Sequence, residues 1–118
     1  MAVENPKFKR KLFHLDVLIE KQTDCYTAHC LQLDLVTDGD TKADAEAMIV
    51  DATSEQITFA IENNLMDHLF QPAPPAEWRK LLYSNHTKKV TLDSEIDPPL
   101  ISEIDFTEVD PNATETTT

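Results

Sequence analysis

The stretch from Tyr26 to Ala47, YTAHCLQLDLVTDGDTKADAEA, leaves few ways for this chain to fold. It reads strand, short loop, strand, turn and helix with almost no residues to spare. The turn Asp38-Gly39-Asp40-Thr41 holds the only glycine of the protein, and glycine enters left-handed backbone conformations at little steric cost. Thr41 stands where a helix N-cap belongs. Asp44 follows at the position that completes a capping box, with Asp in place of Glu.

The flanking segments extend this reading. From Lys11 to Glu20 apolar and polar residues alternate. Phe13, Leu15, Val17 and Ile19 face one way, and His14, Asp16 and Glu20 the other, with Leu18 as an apolar exception. That pattern predicts a half-buried strand. Lys21 to Asp24 is a polar turn, and Cys25 to Leu31 a second strand pairing as a hairpin with the first. Tyr26, Ala28 and Cys30 share one face, Thr27, His29 and Leu31 the other. Leu35 to Thr37 is a short third strand. Residues 42–63 read as one long helix with two apolar stripes. The first is Ala45, Ile49, Ala52 and Phe59 with Met48 and Ala60, and the second is Val50, Ile57 and Ile61. Pro72, Pro74 and Pro75 break the pattern, and Pro75 suits a first helical turn. Glu77 to Tyr83 then forms a short helix with Trp78, Leu81 and Leu82 on one side. After a turn at residues 84–87, Lys88 to Leu92 alternates as a fourth strand. The fold class is therefore α+β: a small antiparallel sheet in β-β-β-α-β order, a long helix on the face carrying Phe13, Leu15, Val17 and Cys30, and a short second helix.

From Asp93 onward the chain holds eight acidic residues and no Lys or Arg. Asp97-Pro98-Pro99 reads as a linker and the final NATETTT as disordered. We therefore expect a domain over 1–92 and a partly disordered acidic extension over 93–118. Within the extension, Ile101, Ile104, Phe106 and Val109 keep an apolar thread that a disordered tail does not need.

Charge bounds the function. With 22 acidic and 10 basic side chains, the net charge is −12. Such a surface repels phosphate backbones and favours a basic protein partner over nucleic acid. No stretch is long enough to span a membrane and no signal peptide is visible. Cys25 and Cys30, on opposite faces of one strand, are expected as reduced thiols in the cytoplasm.

The Tyr26–Ala47 segment, with its TDGDT turn and its Ala- and Glu-containing helix start, resembles the N-terminal domain of HicB-like antitoxins; the likeness runs over residues 13–59. The resemblance implies a partial ribonuclease-H-like fold without catalysis, and a partner of the HicA-like type, a small basic messenger-RNA-cleaving toxin. Many members add a C-terminal DNA-binding segment. Here no basic residue follows Leu92, so none is expected, and the chain reads equally as an orphan member without a toxin.

The candidate sites are few. His14, Asp16 and His29, with Thr27, are expected to gather on the open sheet face, either as a plain solvated surface or as a weak metal site. Glu103, Ile104, Asp105 and Phe106 are the expected partner-binding residues, with Gly39 and Thr41 as turn and cap. A degenerate ribonuclease-H-like metal-dependent hydrolase is the alternative: Asp16 is one carboxylate, and Asp44, Glu46, Asp51 and Glu55 are available on the helix, without a spacing that forces convergence. The main reading is a non-catalytic interaction module with no cofactor, no metal and no catalytic residue. Exposed strand edges and the second helix stripe suggest a homo-oligomer.

Overall fold

The computed structural model describes the backbone of residues 11–94 and 100–110 and the side chains of residues 14–91 and 103–110. Three strands, β1 (Lys11–Lys21), β2 (Tyr26–Cys30) and β3 (Leu35–Gly39), lead into helix α1 (Lys42–Glu62). A short helix α2 (Pro75–Arg79) runs on into a 3-10 turn at Lys80–Tyr83. Strands β4 (Ser84–Ser94) and β5 (Leu100–Val109) complete one five-stranded sheet of order β3-β2-β1-β5-β4. All neighbours are antiparallel except β1 and β5, which run parallel from Lys11↔Leu100 to Ile19↔Glu108. The architecture is α+β, as the alternation predicts, but the sheet is mixed rather than purely antiparallel.

The register sets the two faces. Leu15, Val17, Ile19, Ala28, Cys30, Ile104 and Phe106 are fully buried beneath α1. The helix meets them with Ala45, Ile49, Ile57 and Ala60. Thr53 completes the buried stripe and is fully enclosed. This corrects the phase of the sequence stripes. A polar residue interrupts the apolar period at Thr53, while Met48 and Phe59, expected inside, are 53% and 58% exposed.

The opposite face divides in two. At one end Leu18, Leu31 and Ala73 form a second small core, closed by Trp78, Leu81 and Val109. Trp78 Nε1 donates to the Ala73 carbonyl at 3.0 Å. Pro75 does occupy the first turn of α2, but Leu82 points to solvent, 83% exposed. The other end of this face carries no covering element among the described residues.

The expected boundary at residue 92 is overturned. It cuts through β4, and β5 is an interior strand between β1 and β4. The apolar thread from Leu100 to Val109 is thus a structural strand. Glu103 and Asp105 face away from the helix-side core because side chains alternate along a strand, while Glu108 falls on the helix side. Residues 84–87, expected as a turn, open β4 instead, with a register shift between His86 and Lys88. The Asp97-Pro98-Pro99 linker and the terminal NATETTT lie outside the described residues.

Gly39 needs a different explanation from the one its uniqueness suggests. Its φ is not positive; the left-handed residues among those described are Asp34 and Asn64. What Gly39 supplies is room. A Cβ there would come within 2.6 Å of both Ala45 N and Asp44 Cβ, so the close approach of the β3 end to the helix start requires its absence. The Thr41 cap is as expected: its hydroxyl oxygen accepts from Asp44 N at 3.1 Å.

Candidate functional site

The uncovered end of the open face gathers polar side chains from three adjacent strands. His14 and Asp16 project from β1, Asp105 from β5 and His86 from β4. Asp16 and Asp105 are direct partners across the parallel pair. Their carboxylates meet around one imidazole: His14 Nε2 is 3.3 Å from Asp16 Oδ1 and 3.3 Å from Asp105 Oδ2. Each carboxylate is held from behind. The Gln32 amide brackets Asp16, with Gln32 Oε1 accepting from Asp16 N at 2.7 Å and Gln32 Nε2 donating to Asp16 Oδ2 at 2.9 Å. Gln32 reaches there because the chain turns back after β2, through the left-handed Asp34, into β3. His86 Nε2 lies 2.9 Å from Asp105 Oδ1. On the far side of the His14 ring, Glu103 Oε1 is 4.0 Å from Nδ1, and Lys89 Nζ is 3.7 Å from the same oxygen.

The expected gathering of His14 and Asp16 is therefore present, but His29 is not part of it. His29 pairs with Leu18, four residues along β1 from His14, a separation of about 13 Å at strand spacing. It belongs to a second polar group. There His29 Nε2 is 2.7 Å from Asp34 Oδ1, and His29 Nδ1 is 3.5 Å from Glu77 Oε1. Lys80 joins that group, bridging Glu20 at 3.0 Å and Glu77 at 3.1 Å. Burial pulls the Lys80 ammonium down, but the two carboxylates outweigh it and its pKa is raised overall. Glu20, His29, Asp34 and Glu77, together with Leu18, Thr27, Val36 and Pro74, line an open pocket of about 380 Å³.

Ile104 and Phe106 do not form a docking surface. Both are completely buried in the helix-side core, because β5 is an interior strand and even-numbered residues 104 and 106 face α1. Only their neighbours Glu103 and Asp105 reach the open face. The helix carboxylates offered to a hydrolase site do not converge on Asp16 either, since α1 lies on the opposite side of the sheet. Glu46, largely buried, takes Lys88 at 2.8 Å. Lys42 reaches across to Glu108 at 3.0 Å, and that hydrogen bond raises the lysine's pKa.

A feature not read from the sequence is the outer face of α1. Asp44, Met48, Asp51, Glu55, Phe59 and Glu62 recur at helical spacing and are all exposed. Asp38 and Asp40 extend the acidic strip past the helix start, around a shallow hollow that includes Met48. Lys42 is the one basic residue of α1, so Asp51 and Glu55, one turn apart, repel each other without relief on the helix. The signal was available in the sequence, since Met48 and Phe59 fall in step with these acids.

Comparison of the chain with protein-family models, with curated proteins and with solved structures finds no match.

Proposed function

We propose that this chain is a non-catalytic protein-interaction module of the HicB-like antitoxin type, and that it binds a small basic protein through the outer face of α1. The observation that carries this reading is the exposed stripe in which Met48 and Phe59 stand among Asp44, Asp51, Glu55 and Glu62. Apolar anchors inside a charged rim are the anatomy of an interface, with the anchors supplying desolvated contact. These carboxylates, which have no ion-pair partner among the described residues, supply long-range attraction, which raises the association rate and weakens with salt. A net charge of −12 selects a cationic partner, and a HicA-like toxin has that character. The two cysteines are free thiols, in keeping with a reducing cytoplasm. Among the described residues no helix is long and apolar enough to cross a membrane.

The test is a photo-crosslinking residue placed at Phe59 in the full chain, expressed in its native host. A covalent adduct with a basic protein is expected, and it should disappear on changing Asp44, Asp51 and Glu55 to Lys. Suppression of RNA cleavage by that partner would assign the antitoxin role; a partner without such activity would assign an orphan module. An adduct that survives charge reversal, or an acidic partner, would overturn the reading. Self-association belongs to the same proposal. β3 and β4 are the two outer strands, and Val36 on β3 is 56% exposed, so a twofold dimer through an edge is expected in sedimentation.

A further inference from the structure

We propose that His14, Asp16 and Asp105 form a binding site for a first-row divalent transition ion of the zinc type. The argument begins with an unfavourable arrangement. Like charges directly opposed on neighbouring strands destabilise a sheet, yet Asp16 and Asp105 are register partners on β1 and β5. Both are partly withdrawn from solvent, with side chains 22% and 15% exposed. Positive charge placed between them removes the penalty.

The geometry suits a metal. At zinc–ligand distances of about 2.0–2.2 Å, neighbouring donors of a tetrahedron stand about 3.3–3.6 Å apart. His14 Nε2 stands 3.3 Å from Asp16 Oδ1 and 3.3 Å from Asp105 Oδ2. Each of the three residues offers a donor atom within 4.8 Å of the donors of the other two. The His14 side chain is half exposed, so the fourth position opens to water, the arrangement of an open zinc site.

The outer partners argue the same way. Metal ligands are characteristically held through their second polar atom. Gln32 Nε2 holds Asp16 Oδ2 at 2.9 Å, and His86 Nε2 lies 2.9 Å from Asp105 Oδ1, leaving Asp16 Oδ1 and Asp105 Oδ2 to face His14. Glu103 lies on the Nδ1 side of His14, 4.0 Å away, and leaves the Nε2 side to the two aspartates. The donor set selects the ion. One imidazole with two carboxylates is the ligand type of zinc and its neighbours, whereas calcium takes six to eight oxygens and magnesium resists dehydration.

The rival state has the same atoms and no metal: a protonated His14 held between the two aspartates. Calorimetry of the full chain with zinc chloride separates the two. One ion bound per chain is expected, and cobalt(II) should give a d–d absorption band of tetrahedral intensity that zinc abolishes. His14→Gln and Asp105→Asn should each weaken binding at least ~10-fold, and Gln32→Leu about 10-fold through loss of Asp16 orientation. His29→Gln should leave binding unchanged. His14 is at the surface, so its variant keeps the fold, as circular dichroism will verify. Histidine-selective ¹⁵N NMR gives an independent reading: zinc should shift His14 and His86 and leave His29 and His68 in place. No heat of binding and no d–d band, or shifts confined to His29 or His68, would overturn the proposal in favour of the protonated imidazole.

Discussion

Replacing Phe106 by Ala tests whether β5 is a structural strand. Phe106 is fully buried, packed within the cluster that joins β1, β2 and α1. Truncating a buried Phe costs about 3–5 kcal/mol in lost transfer energy and residual cavity. A domain of this size is stable by roughly 5–15 kcal/mol, so a third or more of the total could vanish with one ring. The ring also carries an electrostatic contact, with Lys88 Nζ 5.4 Å from its centroid. Phe106→Leu keeps most of the volume and removes that contact, and should cost only about 1–2 kcal/mol. Urea unfolding followed by Trp78 fluorescence is the assay. Trp78 is the single tryptophan and sits in the small core on the opposite face, so its signal reports loss of the whole sheet. The midpoint should fall with the slope m unchanged, and a chain cut after Pro99 should not fold. A cost below ~1 kcal/mol for Phe106→Ala, which is the range of surface substitutions, would show that β5 is not an interior strand of the sheet and would refute the reasoning.

Three further outcomes are expected. Gly39→Ala should destabilise by about 1–3 kcal/mol, because the new methyl meets backbone at Ala45 N; a neutral result in thermal melts would contradict the close approach. Thr41→Ala removes the cap of α1 and should cost about 1 kcal/mol, with Thr41→Ser restoring most of it in the same melts. The buried Cys30 thiol is pushed up from 9.0 to about 11, chiefly by burial. In the folded protein it should resist a thiol reagent that modifies the half-buried Cys25. Because the folded value lies above the unfolded one, its contribution to stability is intact below about pH 9 and is lost as the pH rises through about 11; a Cys30→Ala variant should lack that part of the alkaline decline.

The local elements were legible in the sequence because their signals are local. Alternation from His14 to Ile19 marked β1 and its faces, and Thr41 marked the start of α1. What escaped was whatever depends on pairing distant segments. The apolar thread through Ile104 and Phe106 was visible, but the acids interleaved with it read as a tail. Only the parallel register with β1 shows that Glu103 and Asp105 belong to the open face while Ile104 and Phe106 belong to the helix-side core. The same register explains the candidate site. His14 and Asp16 announce themselves two residues apart, whereas Asp105, His86 and Gln32 arrive from other strands and a turn. The helix stripes were misphased because Thr53 is buried where an aliphatic residue was expected, and because Met48 and Phe59 look like core.

The parallel pairing of β1 with β5 has a kinetic consequence. The two strands stand at opposite ends of the described chain, so β1 emerges from the ribosome early and its central neighbour late. In the interval, β1, β2, β3 and α1 are present but lack Ile104 and Phe106, and one edge of β1 keeps its backbone hydrogen bonds unmade. An open apolar edge is a template for association with other chains. Nascent chains halted before Leu100 should therefore depend on holdase chaperones and aggregate when released. Refolding of the complete protein should be slow, in the millisecond-to-second range of topologies dominated by non-local pairing, and should be all-or-none, with closure of the last strand as the committing step.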